Sequence, residues 1–394
     1  MRYWAGFDVG KAFHWLCVLD DEGGVLLSRR VEATEEDIEA ACSQIRALGS
    51  SQERTVAVDM MGGPATLLEA ILLGRGERVF YLPGMSVNRA REGYQGEQKS
   101  DRGDARVIAD QLRMRRSSLR EILPRDDEAV EMRLLVSYRR DLVVDQARCV
   151  TRLRALLNEV FPGLDALLNF RKDRAFVLLS KVATPKAARR LGISRLARWL
   201  RTQGIRRSDE LAGKVVEAAK AQSCDLPASA TRGALVCEMA AEVLGIRERV
   251  AEIEDRLEEL LSARPEAEVV RSLPGMGVVF TASFLAEVDD PGRFDSADTL
   301  AAAAGLVPAT RQSGGTSFQT RARRGNRTLK NLFYRSAFSC TAHHAPSKAF
   351  YDRKRAEGKT HHQAVIALAR RRVNVLWAML RDGQLYEDRT PAAA

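Results

Sequence analysis

The chain has 394 residues, of which 45% are hydrophobic and 29% charged, as in an ordinary soluble globular protein with room for two or three domains. It contains no uncharged apolar run of about 18 residues and no signal-like N-terminal stretch, so we expect a cytoplasmic protein that is neither secreted nor membrane-spanning. Its six cysteines are scattered without a CxxC pair, which argues against a zinc knuckle, a redox motif or a disulfide framework.

The net charge of +10 is concentrated near the C-terminus. The segment from Gly305 to Ala394 contains 17 lysines and arginines but only 5 acids, whereas the chain before it is close to neutral. Arginine supplies 51 of the 62 basic residues, and its planar fork suits phosphate. This asymmetry predicts one domain that binds a polyanion such as nucleic acid.

The first 83 residues alternate strand and helix signals. They predict strands over 3–9, 13–19, 25–31, 55–59 and 78–82, with helices over 34–48 and 64–74. Three strands in a meander followed by helix, strand, helix and strand is the order of an RNase-H-like core. We therefore predict an α/β, RNase-H-like domain over residues 1–125.

From about Asp126 the pattern is helical. Eight apolar residues from Val236 to Leu260 step alternately by three and four, which is the heptad seam of a coiled coil. Residues 135–160 follow nearly the same repeat, so the two helices either pair antiparallel within one subunit or the second one pairs with its copy in a dimer. We predict a coiled-coil arm over 126–265, with a basic helical insertion at 171–225.

Residues 266–394 are predicted to form a third, mainly helical domain. A turn containing Gly275 and Gly277 before an apolar helix at 278–288 is typical of a helix-hairpin-helix, whose tight backbone can direct amides at a phosphate. The alternative is an ordinary glycine-rich connection between two helices. The run Arg370-Arg371-Arg372 also has two interpretations, because these arginines either lie along a helix surface or contact backbone phosphate.

Four aspartates could form a metal site. Asp8 ends the first predicted strand, Asp59 ends a strand that lies beside it in this order, and Asp101 and Asp104 are three residues apart at a helix start. Such carboxylates suit one or two Mg²⁺ ions, which can clamp the attacking and leaving oxygens of a phosphodiester. Taken singly, each acid could instead cap a strand end or favour a helix N-terminus.

A second chemical centre is predicted in the basic domain, where no acid occurs between Gly305 and Tyr351. Ser313 precedes two glycines in what reads as a loop, so its hydroxyl could attack a phosphate whose charge nearby arginines stabilise. The spacing equally suits a phosphate-binding loop in which Ser313 only donates a hydrogen bond. Ser317 and Ser336 are weaker nucleophile candidates. The arginines expected to bind nucleic acid here are Arg311, Arg321, Arg323, Arg324 and Arg327.

Several of these motifs occur together in one order. Asp8, the acid at position 59, Lys99-Ser-Asp101-x-x-Asp104-Ala, the coiled coil, Leu273-Pro-Gly-Met-Gly277 and Gly305-Leu-Val-Pro…Gln-Ser313-Gly-Gly…Arg-Gly325-Asn resemble the DEDD transposases of insertion-sequence family 110, relatives of the Piv invertase. The resemblance covers nearly the whole chain, with residues 171–225 matched least.

The resemblance implies a RuvC-like domain, a coiled-coil arm and a C-terminal transposase domain. It implies a recombinase that acts on DNA with Mg²⁺ and a structured guide RNA, working as a homo-oligomer whose two centres meet across subunits. Asp8, Asp59, Asp101 and Asp104 would hold the metal, and Ser313 would form a transient phosphoserine link to DNA. The family's second acid is usually glutamate, so the shorter Asp59 shifts the metal or admits a water.

Two other functions remain open from the sequence. The first is a RuvC-like nuclease or invertase that works without a guide RNA and uses a metal-activated water in place of serine. The second is a non-catalytic nucleic-acid-binding protein built on the helix-hairpin-helix and the basic C-terminal region.

Overall fold

The computed structural model divides the chain into two compact units, Met1–Arg125 and Asp126–Ala394. The structure describes residues 1–93, 100–124, 126–224, 226–288, 291–313, 316–320 and 325–388, without the side chains of Arg293 and of residues 309–313 and 316–319. Within these ranges no helix is both long enough and apolar enough to cross a membrane. The division into three domains stays a prediction.

The first unit is a sheet with helices on both faces. Its elements are β1 Tyr3–Val9, β2 Phe13–Leu19, β3 Val25–Glu32, α1 Glu35–Arg46, β4 Arg54–Val58, α2 Thr66–Gly74, β5 Val79–Tyr81, α3 Gly84–Arg91, α4 Asp101–Arg115 and β6 Arg120–Ile122. The strand order is β3-β2-β1-β4-β5-β6, with β1, β2 and β3 antiparallel, β4 and β5 parallel to β1, and β6 antiparallel to β5.

The predicted RNase-H-like order of strands is confirmed, and the predicted strand bounds are correct to within one residue. The sequence did not predict β6, because its three residues, two of them charged, are too short for a strand pattern. The helix predicted over 64–74 begins with a 3₁₀ turn at Gly63–Ala65 before α2 starts.

Side chains alternate between two cores on opposite faces of the sheet. Phe7 and Val58 pack with α1 and α2 on one face, whereas Trp4 and Ala57 pack with α4 on the other. At Gly6 the backbone of α4 touches β1, because a Cβ atom there would lie 2.5 Å from the carbonyl oxygen of Ala105. Only glycine allows this approach.

The second unit is mainly helical. Its elements are α5 Asp127–Val160, α6 Pro162–Leu167, α7 Asp173–Leu179, α8 Pro185–Thr202, α9 Ser208–Ala221, α10 Ser229–Ser262, α11 Pro265–Ser272, α12 Val278–Val288, α13 Ala297–Ala303, β7 Ala309–Ser313, β8 Thr316–Thr320, α14 Arg327–His343, α15 Ala345–Ala356 and α16 His361–Asp382.

The long helices α5 and α10 pair antiparallel within the chain. Ion pairs join Arg256 to Glu131 near one end of the pair and Arg232 to Glu159 near the other. Six of the eight heptad residues of α10 are buried. Of the two pairings that the sequence left open, the structure contains the one within a subunit.

The expected loop around Ser313 is instead a β-hairpin. β7 and β8 pair antiparallel, with Ser313 opposite Thr316, so Ser313 is the last residue of a strand. The sequence suggested a loop because its glycines and polar residues hide the alternation of so short a strand. Residues 314–315, between the strands, lie outside the described part of the chain.

We expect Gly6→Ala to destabilise the first unit by about 1–3 kcal/mol, since the added methyl group overpacks the contact between β1 and α4. Native-state hydrogen exchange of the β1 amides measures this loss in the first unit alone. Gly74→Ala is the matched control, because a Cβ atom there meets nothing within 4 Å. Equal protection of β1 in the two variants would contradict the role given to Gly6.

Candidate active site

Asp8 and Asp59 lie side by side at the same edge of the sheet. Phe7 pairs with Val58 in the parallel ladder of β1 and β4, so the residue after each one stands at the same level. The amide of Val9 donates a hydrogen bond of 3.0 Å to Asp59 Oδ1, which ties the two strand ends together. The structure thus brings together the first two predicted acids.

Both acids belong to the face of the sheet that α4 covers. Gly6 contacts α4 and Ala57 packs in the core beneath it. Because strand residues alternate between faces, Asp8 and Asp59, each two positions further on, lie on that same face.

Helix α4 contributes the other two predicted acids. Its N-terminus is capped by Ser100, whose hydroxyl accepts a hydrogen bond of 3.1 Å from the Gly103 amide. Both acids lie in the first turn, but Asp104 is buried, whereas Asp101 is exposed to solvent. The two acids therefore differ in environment although they are three residues apart.

Asp104 is held by an arginine that the sequence did not single out. Arg91, at the end of α3, donates from one terminal nitrogen to both oxygens of Asp104, at 2.8 and 3.0 Å. The guanidinium thus lies where a cation would bind this carboxylate. No spacing rule connects Arg91 to Asp104, because the two residues belong to different helices, α3 and α4. Residues 94–99 between these helices, which include Lys99, lie outside the described ranges.

The electrostatics of Asp59 also indicate a cluster of acids. Burial raises the pKa of Asp59 above its usual range, and the nearby Asp104 carboxylate raises it further. The hydrogen bond from the Val9 amide acts in the opposite direction. A cation at this point would relieve both the desolvation and the repulsion.

The acids are not arranged as a complete metal-binding site. Among the described residues, no three His, Cys, Asp or Glu side chains are grouped as a metal site. The donor set nevertheless suits a hard cation, because it consists of carboxylate oxygens. A metal here would have to share Asp104 with Arg91.

The hairpin of β7 and β8 is anchored at its base. A Cβ atom on Gly325, whose φ is +114°, would lie 2.6 Å from the backbone of Gly305. Asn326 caps α14 by accepting hydrogen bonds from the amides of Thr328 and Leu329. These contacts hold the two chain segments that lead into and out of the hairpin.

The structure describes the basic residues near the hairpin only in part. Arg327 is exposed in the first turn of α14, and Arg311 lies in β7 opposite Phe318. The side chains of Arg311 and Ser313 are not described, and Arg321, Arg323 and Arg324 lie outside the described residues. The weaker candidate Ser336 is buried in α14, where it accepts a hydrogen bond of 2.9 Å from Arg372.

The predicted helix-hairpin-helix glycines have different surroundings. Gly275 has a φ of +75°, and a Cβ atom there would lie 2.7 Å from Cys340 Sγ in α14. At Gly277 a Cβ atom would meet nothing within 4 Å. Gly275 is thus required by the packing of this turn, whereas Gly277 is exposed and no neighbouring atom requires glycine there.

Comparisons with known proteins agree with the family resemblance. A family model described as a transposase matches residues 5–162, and a second, described as the transposase IS116/IS110/IS902 family, matches residues 267–352. The chain is 41% identical to the insertion element IS116 uncharacterized 44.8 kDa protein of Streptomyces clavuligerus, over 99% of this chain and 97% of the relative. It is 40% identical to the insertion element IS900 uncharacterized 42 kDa protein of Mycobacterium paratuberculosis, over 99% and 98%.

The comparison with solved structures gives a much weaker match. The RuvC structure of Thermus thermophilus aligns with 16% identity and a TM-score of 0.25, over 31% of this chain and all of that one. This TM-score is too low to indicate a shared fold, so the RNase-H-like assignment is based on the strand order. The identity to the full-length relatives is decisive for the family. The chain belongs to the IS116/IS110/IS902 family of transposases, enzymes that cut and rejoin DNA.

Proposed function

We propose that this transposase recombines the DNA of its mobile element with two centres, a divalent metal at the acids and a nucleophile at Ser313. One observation carries the proposal most directly: Asp8 and Asp59 lie at one sheet edge, on the face covered by α4, the helix that carries the buried Asp104. Since bound divalent ions can stabilise the attacking and leaving oxygens of a phosphodiester displacement, carboxylates at a sheet edge are suitable ligands.

Asp8, Asp59 and Asp104 would hold the metal, and Asp101, at the exposed start of α4, would complete the set. Mg²⁺ fits these oxygen donors and would stabilise charge on the phosphate oxygens. Arg91 forms an ion pair with Asp104, so its guanidinium would share this carboxylate with the metal.

Ser313 would act as the nucleophile. Its position at the end of β7, before the glycines at 314 and 315, suits close approach to a DNA phosphate. The hydroxyl would attack phosphorus and release a DNA hydroxyl, which leaves a phosphoserine link. Attack on that link by another DNA hydroxyl would rejoin the strands and free the serine.

A structured guide RNA and a homo-oligomer complete the proposal. Support for RNA is the basic region after Gly305 together with the family resemblance. Support for assembly is an apolar stripe on α5, where Val130, Leu134 and Tyr138 are 38%, 66% and 50% exposed. These residues are four apart and form one face of the helix.

The two centres can be tested in cells with the gene and its native flanking DNA on a plasmid. We expect amplification across abutted element ends to detect circle junctions with the wild type, and at least about 100-fold fewer with Asp8→Ala or Ser313→Ala. Ser317→Ala is the matched control and should retain junctions. Junctions with Ser313→Ala but not with Asp8→Ala would favour a metal-activated water. DNA binding without junctions, while a related element is active in parallel, would favour a binding protein.

We expect Asp59→Asn to raise the Tm of the metal-free protein at pH 7. A raised pKa means that the fold favours protonated Asp59, so this contribution to stability is present at low pH and lost as the pH rises through the folded-state pKa. Asparagine removes the charge and can still accept the Val9 hydrogen bond. The Mg²⁺ concentration that gives half of the maximal stabilisation should rise at least about tenfold.

Asp21→Asn is the control for this experiment. Hydrogen bonds from the Arg2 amide and the Trp4 ring lower the pKa of Asp21, so its neutralisation should not raise the Tm and should leave the Mg²⁺ response intact. A lower Tm for Asp59→Asn with an unchanged Mg²⁺ response would exclude Asp59 as a ligand.

The turn at Gly275 and Gly277 gives a separate test of nucleic-acid binding. Gly277→Ala should leave stability unchanged but weaken duplex DNA binding about fivefold, because a methyl group would obstruct a phosphate at the amides. Gly275→Ala should lower stability by about 1–3 kcal/mol through overpacking against α14. Fluorescence anisotropy and urea unfolding measure the two effects. Unchanged DNA affinity of Gly277→Ala would make this turn an ordinary connection.

A further inference from the structure

Arg372 in α16 is a buried arginine without a counter-charge. It is 4% exposed and donates hydrogen bonds to the Pro274 carbonyl and the Ser336 hydroxyl, but its Nε has no hydrogen-bond partner. Across the described residues, no carboxylate forms an ion pair with it. A buried charge with neither a paired ion nor full hydrogen bonding is strongly unfavourable, so a bound anion would stabilise it.

A small cavity of about 70 Å³ lies beside this arginine. Its polar lining comes from Arg371, Arg372, His344, Ser347 and Tyr386. His344 Nδ1 and Ser347 Oγ are 2.7 Å apart, and both guanidinium groups act electrostatically on the Tyr386 hydroxyl. The guanidinium groups of α16 and the hydroxyl groups of Ser347 and Tyr386 therefore line one cavity.

Tyr386 lines this cavity and belongs to residues 384–388, here called the C-terminal strap. The Tyr386 amide donates a hydrogen bond of 2.9 Å to Ser272 Oγ, which fixes the strap to α11. The Tyr386 hydroxyl donates to Asp388 Oδ1 at 3.0 Å, and His344 Nε2 lies 3.3 Å from the same oxygen. Asp388, which is half exposed, thus already places an anionic group among these donors.

We propose that this cavity is a binding site for one phosphate group, either free phosphate or a phosphate of a nucleic-acid backbone. The volume suits a single tetrahedral oxyanion and is far below the 300 Å³ or more of ordinary ligand pockets. The Arg371 and Arg372 guanidiniums supply charged donors, and the Tyr386 hydroxyl supplies a neutral one. Because Asp388 is half exposed, its carboxylate has room to turn into solvent when phosphate enters. This site is independent of the proposed recombination chemistry.

Inorganic phosphate, added to the full-length metal-free protein, tests the site. We expect a saturable rise in Tm beyond that caused by sodium chloride at the same ionic strength. Arg371→Gln should weaken phosphate binding at least about fivefold, because it removes one exposed guanidinium at the mouth of the cavity. Asp388→Asn should strengthen binding, since it removes the competing carboxylate.

Arg381→Gln is the matched control, because Arg381 is an exposed residue of the same helix that pairs with Asp382 and does not line the cavity. It should change phosphate affinity less than twofold. The proposal is wrong if phosphate has no saturable effect beyond chloride, or if Arg371→Gln and Arg381→Gln weaken binding equally. Tyr386→Phe removes one hydroxyl donor and should also weaken phosphate binding, which gives an independent check.

Binding of a duplex oligonucleotide, measured at several salt concentrations, distinguishes a backbone phosphate from free phosphate. If Arg371→Gln weakens both ligands and lowers the salt slope by about one relative to Arg381→Gln, the site takes a backbone phosphate. If it weakens binding of inorganic phosphate alone, the site takes free phosphate. Either result supports the site.

Discussion

The candidate active site depends on the contact between α4 and β1 at Gly6. Without a side chain at this position, the helix backbone packs directly on the central strand, and Ala105 and Ala109 keep the approach close. Asp104 is adjacent to Ala105 in sequence, and Asp8 lies two positions beyond Gly6. The same contact therefore sets the distance between the helix and the acids of the sheet. A larger residue at position 6 would separate them.

Each unit contains buried charge that its own side chains balance only in part. In the first unit, burial and Asp104 raise the pKa of Asp59, while Arg91 compensates Asp104. In the second unit, Arg372 is buried with hydrogen bonds but without a carboxylate among the described residues. An ion of opposite charge would relieve this imbalance, which is the basis of both proposals above. In the buried pair of Arg54 and Glu77, by contrast, each charge already faces its counter-charge.

The turn after α11 is held by packing and by hydrogen bonds within a few residues. Gly275 is fixed against α14, and the Pro274 carbonyl accepts hydrogen bonds from Arg372 and Cys340. These contacts fix the turn, so a nucleic-acid phosphate bound at Gly277, as proposed above, would meet a backbone that is already in place. A rigid support of this kind reduces the entropy lost on binding.

The sequence by itself determined the strands of the first unit, the heptad seam and the acids at strand and helix ends, because these depend on local periodicity and capping. It favoured neither pairing for α10, since a heptad specifies an apolar face and not its partner. Only the tertiary structure decided that α5 is that partner, that Arg91 holds Asp104 and that Arg372 is buried behind the turn. The hairpin at Ser313 also could not be predicted from the sequence, because two strands of five residues are defined by the hydrogen bonds between them. Contacts between residues distant in the chain leave no periodic signal, so they become visible only when the chain is folded.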